Sequence, residues 1–451
     1  MKIKFLLPTL ITVITFLTSC TENIQKKVDS IKEFTFEDKS MVNNLETICI
    51  KYPARLSGSE NNNKAQEYVF SILRDMNIDT VVKQPVTVPH WNGGTSTVTI
   101  YTKNETILLP SVNLGLAVGT DGKDIKSKVV MVSRKSQLDS VNVKGKIVFF
   151  NQIMKERMDY GKAGWQRVHG ASLASAKGAI GIIVRSVTNS IDDLPHTGVV
   201  WYDESLTKIP AIAISTVAAN TLAKEIDKDF NIKISINSTA QRLDNSIGNN
   251  VYGEIRGSRH PENVILITGH LDSWHIAQGA HDDASGVVMA INVLKTFKEL
   301  RIKPNNTIRV MPYQDEETRL SGIDEYVKNI DTTNVKHLFH IELDSGIGNP
   351  DGFIMFAEKE KLDALSNFVS QYLVKANGDS QLEYSGEPVY DNWWTSSKLH
   401  SMFGYFKSDN PNYFVYHHAP NDNFEAVDIN QLKECSATVT SLIYVVDKYF
   451  K

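Results

Sequence analysis

Cysteine is nearly absent: Cys20, Cys49 and Cys435 are the only three in 451 residues. Three thiols cannot build a disulfide framework or a thiolate zinc cluster, so any metal must be held by His and carboxylate. An excess of one charge is also missing. Forty-eight basic residues stand against fifty-two acidic ones, a net −4 with His neutral. That balance gives no electrostatic reason to expect nucleic acid as a partner. Beyond residue 17 there is no long hydrophobic run, no internal repeat and no low-complexity segment. With 41% hydrophobic and 22% charged residues the chain reads as neither disordered nor a multi-span membrane protein. Its length allows two to four units of about 100–200 residues, each with a core of its own.

The N-terminus carries an address. Lys2 and Lys4 precede an apolar run from Phe5 to Leu17, closed by Leu17-Thr18-Ser19-Cys20. The run is shorter than the ~20 apolar residues of a membrane span and suits a signal-peptide core. Its close resembles a bacterial lipobox, in which the Cys becomes the lipidated first residue. Residues 1–19 are therefore expected to be a signal peptide and 20–40 a polar tether lipidated at Cys20, placing the protein in a bacterial cell envelope. Whether Cys49 and Cys435 pair is left to the fold.

After the tether, Asn61–Met76 has a helical stripe and Thr80–Pro89 and Thr95–Thr102 look like strands. From 111 to 240 the texture changes to short apolar strands and small-residue helices with almost no clustered His or carboxylate, which predicts a separate inserted domain. From Asn249 strand and helix alternate: Val264–Thr268, Ser285–Leu300, Asn306–Met311, Leu320–Asn329, Val335–Leu343, Leu362–Ala376, a strand at Tyr413–Tyr416 and a closing helix Ile429–Phe450. Such alternation predicts an α/β fold, a mixed, mostly parallel sheet sandwiched by helices. The larger domain would comprise 41–110 and 241–451.

In such a sheet ligands collect at the carboxyl ends of the strands, and the polar residues fall there. His270 follows one strand, Asp282 and Asp283 precede a helix, Glu316 and Glu317 follow the next strand, Asp344 closes another, and His417 and His418 follow Tyr416. Each piece alone is ordinary: an Asp pair is commonly a turn or cap, a Glu pair a charged surface, a lone His structural. The ordered set is different. A pair of metal ions about 3.5–4 Å apart needs His and carboxylate ligands, a bridging carboxylate and one unligated carboxylate for proton transfer.

The stretches Gly269-His270-Leu271-Asp272-Ser273-Trp274, Gly279-Ala280-His281-Asp282-Asp283-Ala284-Ser285-Gly286, Asp315-Glu316-Glu317, Glu342-Leu343-Asp344-Ser345 and Tyr416-His417-His418-Ala419 resemble the co-catalytic zinc peptidases of family M28. Pro53-Ala54-Arg55-Leu56-Ser57-Gly58-Ser59, Pro89-His90-Trp91, Pro195-His196-Thr197-Gly198 and Ile209-Pro210-Ala211 are similar to its carboxypeptidase Q branch, and 111–240 to that branch's protease-associated (PA) domain. The resemblance implies a zinc-exopeptidase fold and two Zn2+ ions. It makes His270 and Asp344 ligands of one zinc, Glu317 and His418 ligands of the other, Asp282 the bridge and Glu316 the general base and acid. It further implies that Asp272 fixes a ligand imidazole and that a cis peptide joins Asp282 to Asp283. His281 is a weaker alternative ligand. His275 stands where the branch usually has Asp, and Asp391 lies in an aromatic loop that is either pocket lining or packing.

These readings imply a secreted, lipid-anchored exopeptidase acting on dipeptides or short peptides. The alternatives are a general aminopeptidase, a single-zinc glutaminyl-cyclase-like acyltransferase and a non-catalytic peptide-binding protein. The partners expected are a peptide and, through the anchor, a membrane, with room for a homodimer.

Overall fold

The computed structural model describes residues 24–330, 334–386 and 398–451. The signal segment, Cys20 and Asp391 lie outside the described residues. Two eight-stranded sheets organise the chain. In the first, Asn306–Tyr313, His260–His270, Lys336–Glu342 and Met402–Asp409 run parallel side by side at the centre. Antiparallel strands flank them: Gln241–Ile255 and Thr80–Asn92 on one side, Asn349–Phe356 on the other, with Leu382–Tyr384 at the far edge.

The central run of His260–His270 is apolar without alternation because both faces are covered. Ile265 and Ile267 join a core with Val287, Ile291 and Leu442, whereas Val264 and Leu266 face Ile323 and Tyr326 on the opposite side. Helix Ser285–Glu299 is buried along nearly its whole length between the sheet and helices Ile429–Tyr449 and Ser40–Lys51. The expected mixed sheet between helices is what the chain forms.

Thr80–Asn92 pairs with Gln241–Ile255 from Thr80 opposite Glu254 to Asn92 opposite Gln241. That ladder brings both ends of the intervening chain to one point, and the second sheet grows from it. Its strands lie between Ser96 and Ser238, with Ser96–Tyr101 paired to Lys233–Ser238. The expected start at 111 is therefore too late: Ser96–Tyr101 and Thr106–Leu109 belong to this sheet. Its centre repeats the logic of the first. Ile147 and Phe149 pack under helix Thr216–Lys228, and Val148 and Phe150 fill the opposite core.

Three further expectations change. Residues 24–37 are helical, and Ile24, Val28 and Ile31 join the main core, so this stretch is not a free polar tether. Tyr413–Tyr416 is a short helix rather than a strand. The strand in that position is Met402–Asp409, and Tyr413 and Phe414 instead pack against Met154, Ala163 and Val187 of the inserted unit. The helix expected to reach Ala376 ends at Val369. Cys49 and Cys435 are both buried and unpaired. Among the described residues no helix is long and apolar enough to cross a membrane.

Candidate metal centre

The neighbouring parallel strands deliver their polar residues to one crevice. His270 ends its strand, Glu316 and Glu317 lie in the turn after Asn306–Tyr313, and Asp344 stands two residues beyond Lys336–Glu342. Asp282 and Asp283 occupy the irregular turn that opens helix Ser285–Glu299, joined by the cis peptide the resemblance implies.

Asp282 is the centre of the arrangement. Its Oδ1 is 3.0 Å from His270 Nε2, and its Oδ2 is 3.5 Å from His418 Nε2. Each imidazole faces a second carboxylate as well: Asp344 at 3.8 Å from His270 Nε2, and Glu317 at 3.2 Å from His418 Nε2. Glu316 lies with His270 and Asp344, within 4.8 Å by their nearest ligating atoms. Asp282 and Glu317 are buried, while Glu316 and Asp344 are half-buried and mark the open side. The five expected ligands and the expected base thus meet.

For both histidines the tautomer protonated at Nδ1 is the one that suits metal binding. His270 Nδ1 donates to the Asp272 carbonyl at 3.1 Å, and His418 Nδ1 to the Thr197 carbonyl at 3.3 Å. Both Nε2 lone pairs are then left aimed at carboxylate oxygens, an acceptor-against-acceptor contact that a cation between them relieves. Asp282 Oδ2, Glu317 Oε1 and Asp344 Oδ1 are buried with no hydrogen-bond partner among the described residues. Nitrogen and carboxylate donors of this kind fit zinc.

The electrostatics point the same way. Burial, reinforced by Asp282, raises the Glu317 carboxyl well above its usual range. Burial also raises Glu316 strongly, against the pull of His270 and with help from Asp344. Asp344 is pushed up to about 7 by burial, which outweighs the opposing His270. So many crowded carboxylates demand either protons or cations.

Several single assignments are refined. Asp272 does not clamp the imidazole with its carboxylate, whose Oδ1 is 3.7 Å from His270 Nδ1; the main-chain carbonyl does that. Its two oxygens instead accept the N–H groups of Glu316 and Glu317, at 3.2 and 3.3 Å, fixing the turn that carries both glutamates. Asp283 accepts the N–H of His270 at 3.1 Å and of Gly286 at 3.0 Å, locking strand to helix. A Cβ on Gly286 would stand 2.4 Å from Asp283 Oδ1, so this approach requires glycine. His417 stacks on His418 with ring centroids 3.7 Å apart and also lies near Asp282, but it is His418 Nε2 that faces both Asp282 and Glu317. His281 is occupied elsewhere: Nδ1 accepts from Ile347 N–H and Nε2 faces the Ala426 carbonyl. His275 packs edge-on against Trp91.

Residues outside the expected set hold the site together. Arg55, fully buried, donates to the carbonyls of Leu271, Gln278 and Gly279, stapling the His270 loop to the Asp282 loop. Asp422 accepts the N–H groups of His281 and Asp282 at 2.7 and 3.2 Å. Arg55 lay within a quoted motif; nothing local marks Asp422.

The family model described as Peptidase family M28 matches residues 250–443. Carboxypeptidase Q of Xenopus laevis is 31% identical over 396 residues, 87% of this chain and 82% of that protein. The crystal structure of a peptidase M28 precursor from Shewanella amazonensis SB2B superposes with a TM-score of 0.85 at 26% identity, covering 95% of this chain and 97% of that one. A zinc aminopeptidase from Bacillus subtilis shares the fold, with a TM-score of 0.64 at 17% identity over 90% of this chain and 94% of its own. The full-length likeness to carboxypeptidase Q and the convergence of His and carboxylate described above lead to one conclusion: the chain belongs to peptidase family M28 and is a metallopeptidase.

Proposed function

We propose that the chain is a two-zinc exopeptidase that hydrolyses dipeptides or short peptides. One observation carries this reading: the two oxygens of Asp282 each face a different His–carboxylate pair, His270 with Asp344 and His418 with Glu317. Bound zinc supplies Lewis acidity and a water acidified toward neutral pH. The protein's part is proton traffic and positioning. Glu316, on the open side beside Asp344, takes the proton of the attacking water and returns it to the leaving amine. Its raised proton affinity suits a group that must hold a proton during turnover at neutral pH. Asp272 keeps Glu316 in place through its backbone N–H. The inserted unit, read as a PA domain, walls the crevice and limits substrates to short peptides.

A panel of dipeptides and aminoacyl substrates, run with and without a chelator, tests the reading. Dipeptide cleavage abolished by the chelator and restored by zinc is expected; preference for aminoacyl substrates of any length would favour the aminopeptidase alternative. Glu316→Gln is expected to keep two zinc ions and lose about 10²–10⁴-fold in kcat. Unchanged turnover would remove Glu316 from its role, and one zinc per wild-type chain would favour the acyltransferase alternative.

We further infer attachment to an envelope membrane through lipidated Cys20. The lipobox-like Leu17-Thr18-Ser19-Cys20 supports it, with the core-packed stretch 24–37 leaving a tether of only a few residues. Detergent-phase partitioning that survives in Cys20→Ser would contradict this.

A further inference from the structure

One ligand of the metal centre is held from outside its own domain. His418 follows a short helix, not a strand, and its backbone is left-handed, with φ 61°. A non-glycine residue stays in that strained conformation only where its surroundings enforce it. Those surroundings come from the inserted unit. Thr197 donates its N–H to the His418 carbonyl at 3.0 Å and accepts His418 Nδ1 on its own carbonyl. His196 Nδ1 donates to the His417 carbonyl at 2.7 Å, and the Thr188 hydroxyl donates to the Phe414 carbonyl. Arg167 Nη1 donates to the same Thr197 carbonyl at 3.4 Å, while its Nη2 donates to the Tyr160 hydroxyl at 2.8 Å.

The supporting loop is anchored in its own unit. Thr197 Oγ1 donates to the Asn113 carbonyl at 2.9 Å, the Gly198 carbonyl accepts Gly115 N–H at 2.8 Å, and Ser186 Oγ accepts His196 N–H at 2.8 Å. A Cβ on Gly198 would lie 2.5 Å from the Arg167 guanidinium, so loop and arginine are closely fitted. His196 and Thr197 are almost fully buried, which makes these bonds strong and their loss costly. Among the described residues, His270 takes its hydrogen bonds from Asp272 and Asp283, within the first sheet's own loops, and no hydrogen bond from the inserted unit reaches His270 or Asp344.

We propose that His196 and Thr197, with Arg167, are positioning residues of the metal centre, so that the Glu317–His418 metal subsite depends on the inserted unit and the His270–Asp344 subsite does not. This rests on the two-zinc reading. The insertion is then a structural part of one half of the catalytic centre as well as a wall of the crevice.

The test is zinc titration against a chromophoric chelator, with metal counted per chain, on the full-length protein. His196→Ala is expected to weaken one of two zinc sites about 10–100-fold, the usual cost of losing support behind a ligand, and to leave the other unchanged. His196→Asn, whose side-chain N–H replaces Nδ1–H, is expected to restore most of the loss. Arg167→Met gives a second, independent variant should His196→Ala fold poorly. Pairing with ligand variants locates the weakened site: added to His418→Ala, His196→Ala should do nothing more, whereas added to His270→Ala it should weaken the remaining metal. Wild-type affinity at both sites in both positioning variants, or equal weakening of both sites, overturns the proposal while leaving the two-zinc reading intact. A wild-type chain that takes up a single zinc overturns that reading and this proposal with it.

Discussion

Arg55 is a fully buried charge near the metal centre, and removing a guanidinium from water is expensive unless its donors are used. Here its Nε, Nη1 and Nη2 each meet a carbonyl, and Asp422, Asp272 and Asp283 surround the charge. Arg55→Met would take this donor from the Leu271 and Gln278 carbonyls, the Gly279 carbonyl keeping the Ala284 N–H, and would leave the nearby acids uncompensated. Urea unfolding should show a loss of about 3–5 kcal/mol, with weaker zinc binding alongside; an unchanged midpoint would mean the staple is not needed. The two buried thiols illustrate the opposite case. Burial pushes Cys49 and Cys435 up to about 12, leaving them protonated, unpaired and unreactive in the fold.

At the scale of elements, strand Lys336–Glu342 buries two neutral histidines, His337 and His340. Arg309 donates to the Tyr326 hydroxyl, whose own proton is free to be donated to His337 Nε2 at 2.7 Å. Burial lowers both histidines to about 3. In the unfolded chain they titrate near 6.5, so between those values the unfolded state holds more protons. Stability contributed by keeping them neutral is complete above about 6.5 and lost as pH falls toward 3, at about 1.4 kcal/mol per pH unit for each. His337→Gln should therefore show a shallower decline than wild type between pH 6 and 4 in urea-unfolding free energy, and an equal slope would contradict it. Legibility varied among the elements for physical reasons. Helix Ser285–Glu299 and the apolar strands were plain, since their residues meet the core wherever they lie. The stretch 24–37 carried a helical stripe at Ile24, Val28, Ile31 and Thr35, which its polar composition masked. Tyr413–Tyr416 has strand-forming residues, but contacts with the inserted unit decide its shape.

For the molecule as a whole, metal binds the native crevice and not the unfolded chain, where the ligands are scattered from 270 to 418. Mass action then links occupancy to stability. Chelation should lower Tm, and zinc at 100 times its Kd should return about 2.7 kcal/mol; a melting curve indifferent to chelator would argue against a preformed centre. The inserted sheet enters the same linkage through Thr197 and His196, so unfolding of the two units and loss of metal should be coupled.

The order of residues alone determined which side chains converge. His270, Glu316, Glu317 and Asp344 each follow a strand, and parallel strands bring their carboxyl ends together whatever fills the rest of the chain. Tertiary structure decided which atoms face which. That Asp272 holds the Glu316 turn rather than an imidazole, that His418 rather than His417 faces Glu317, and that Thr197 supports it from 221 residues away are all long-range contacts. Periodicity in a sequence reports only what neighbours along one element share, and such contacts join elements whose spacing along the chain carries no trace of their meeting.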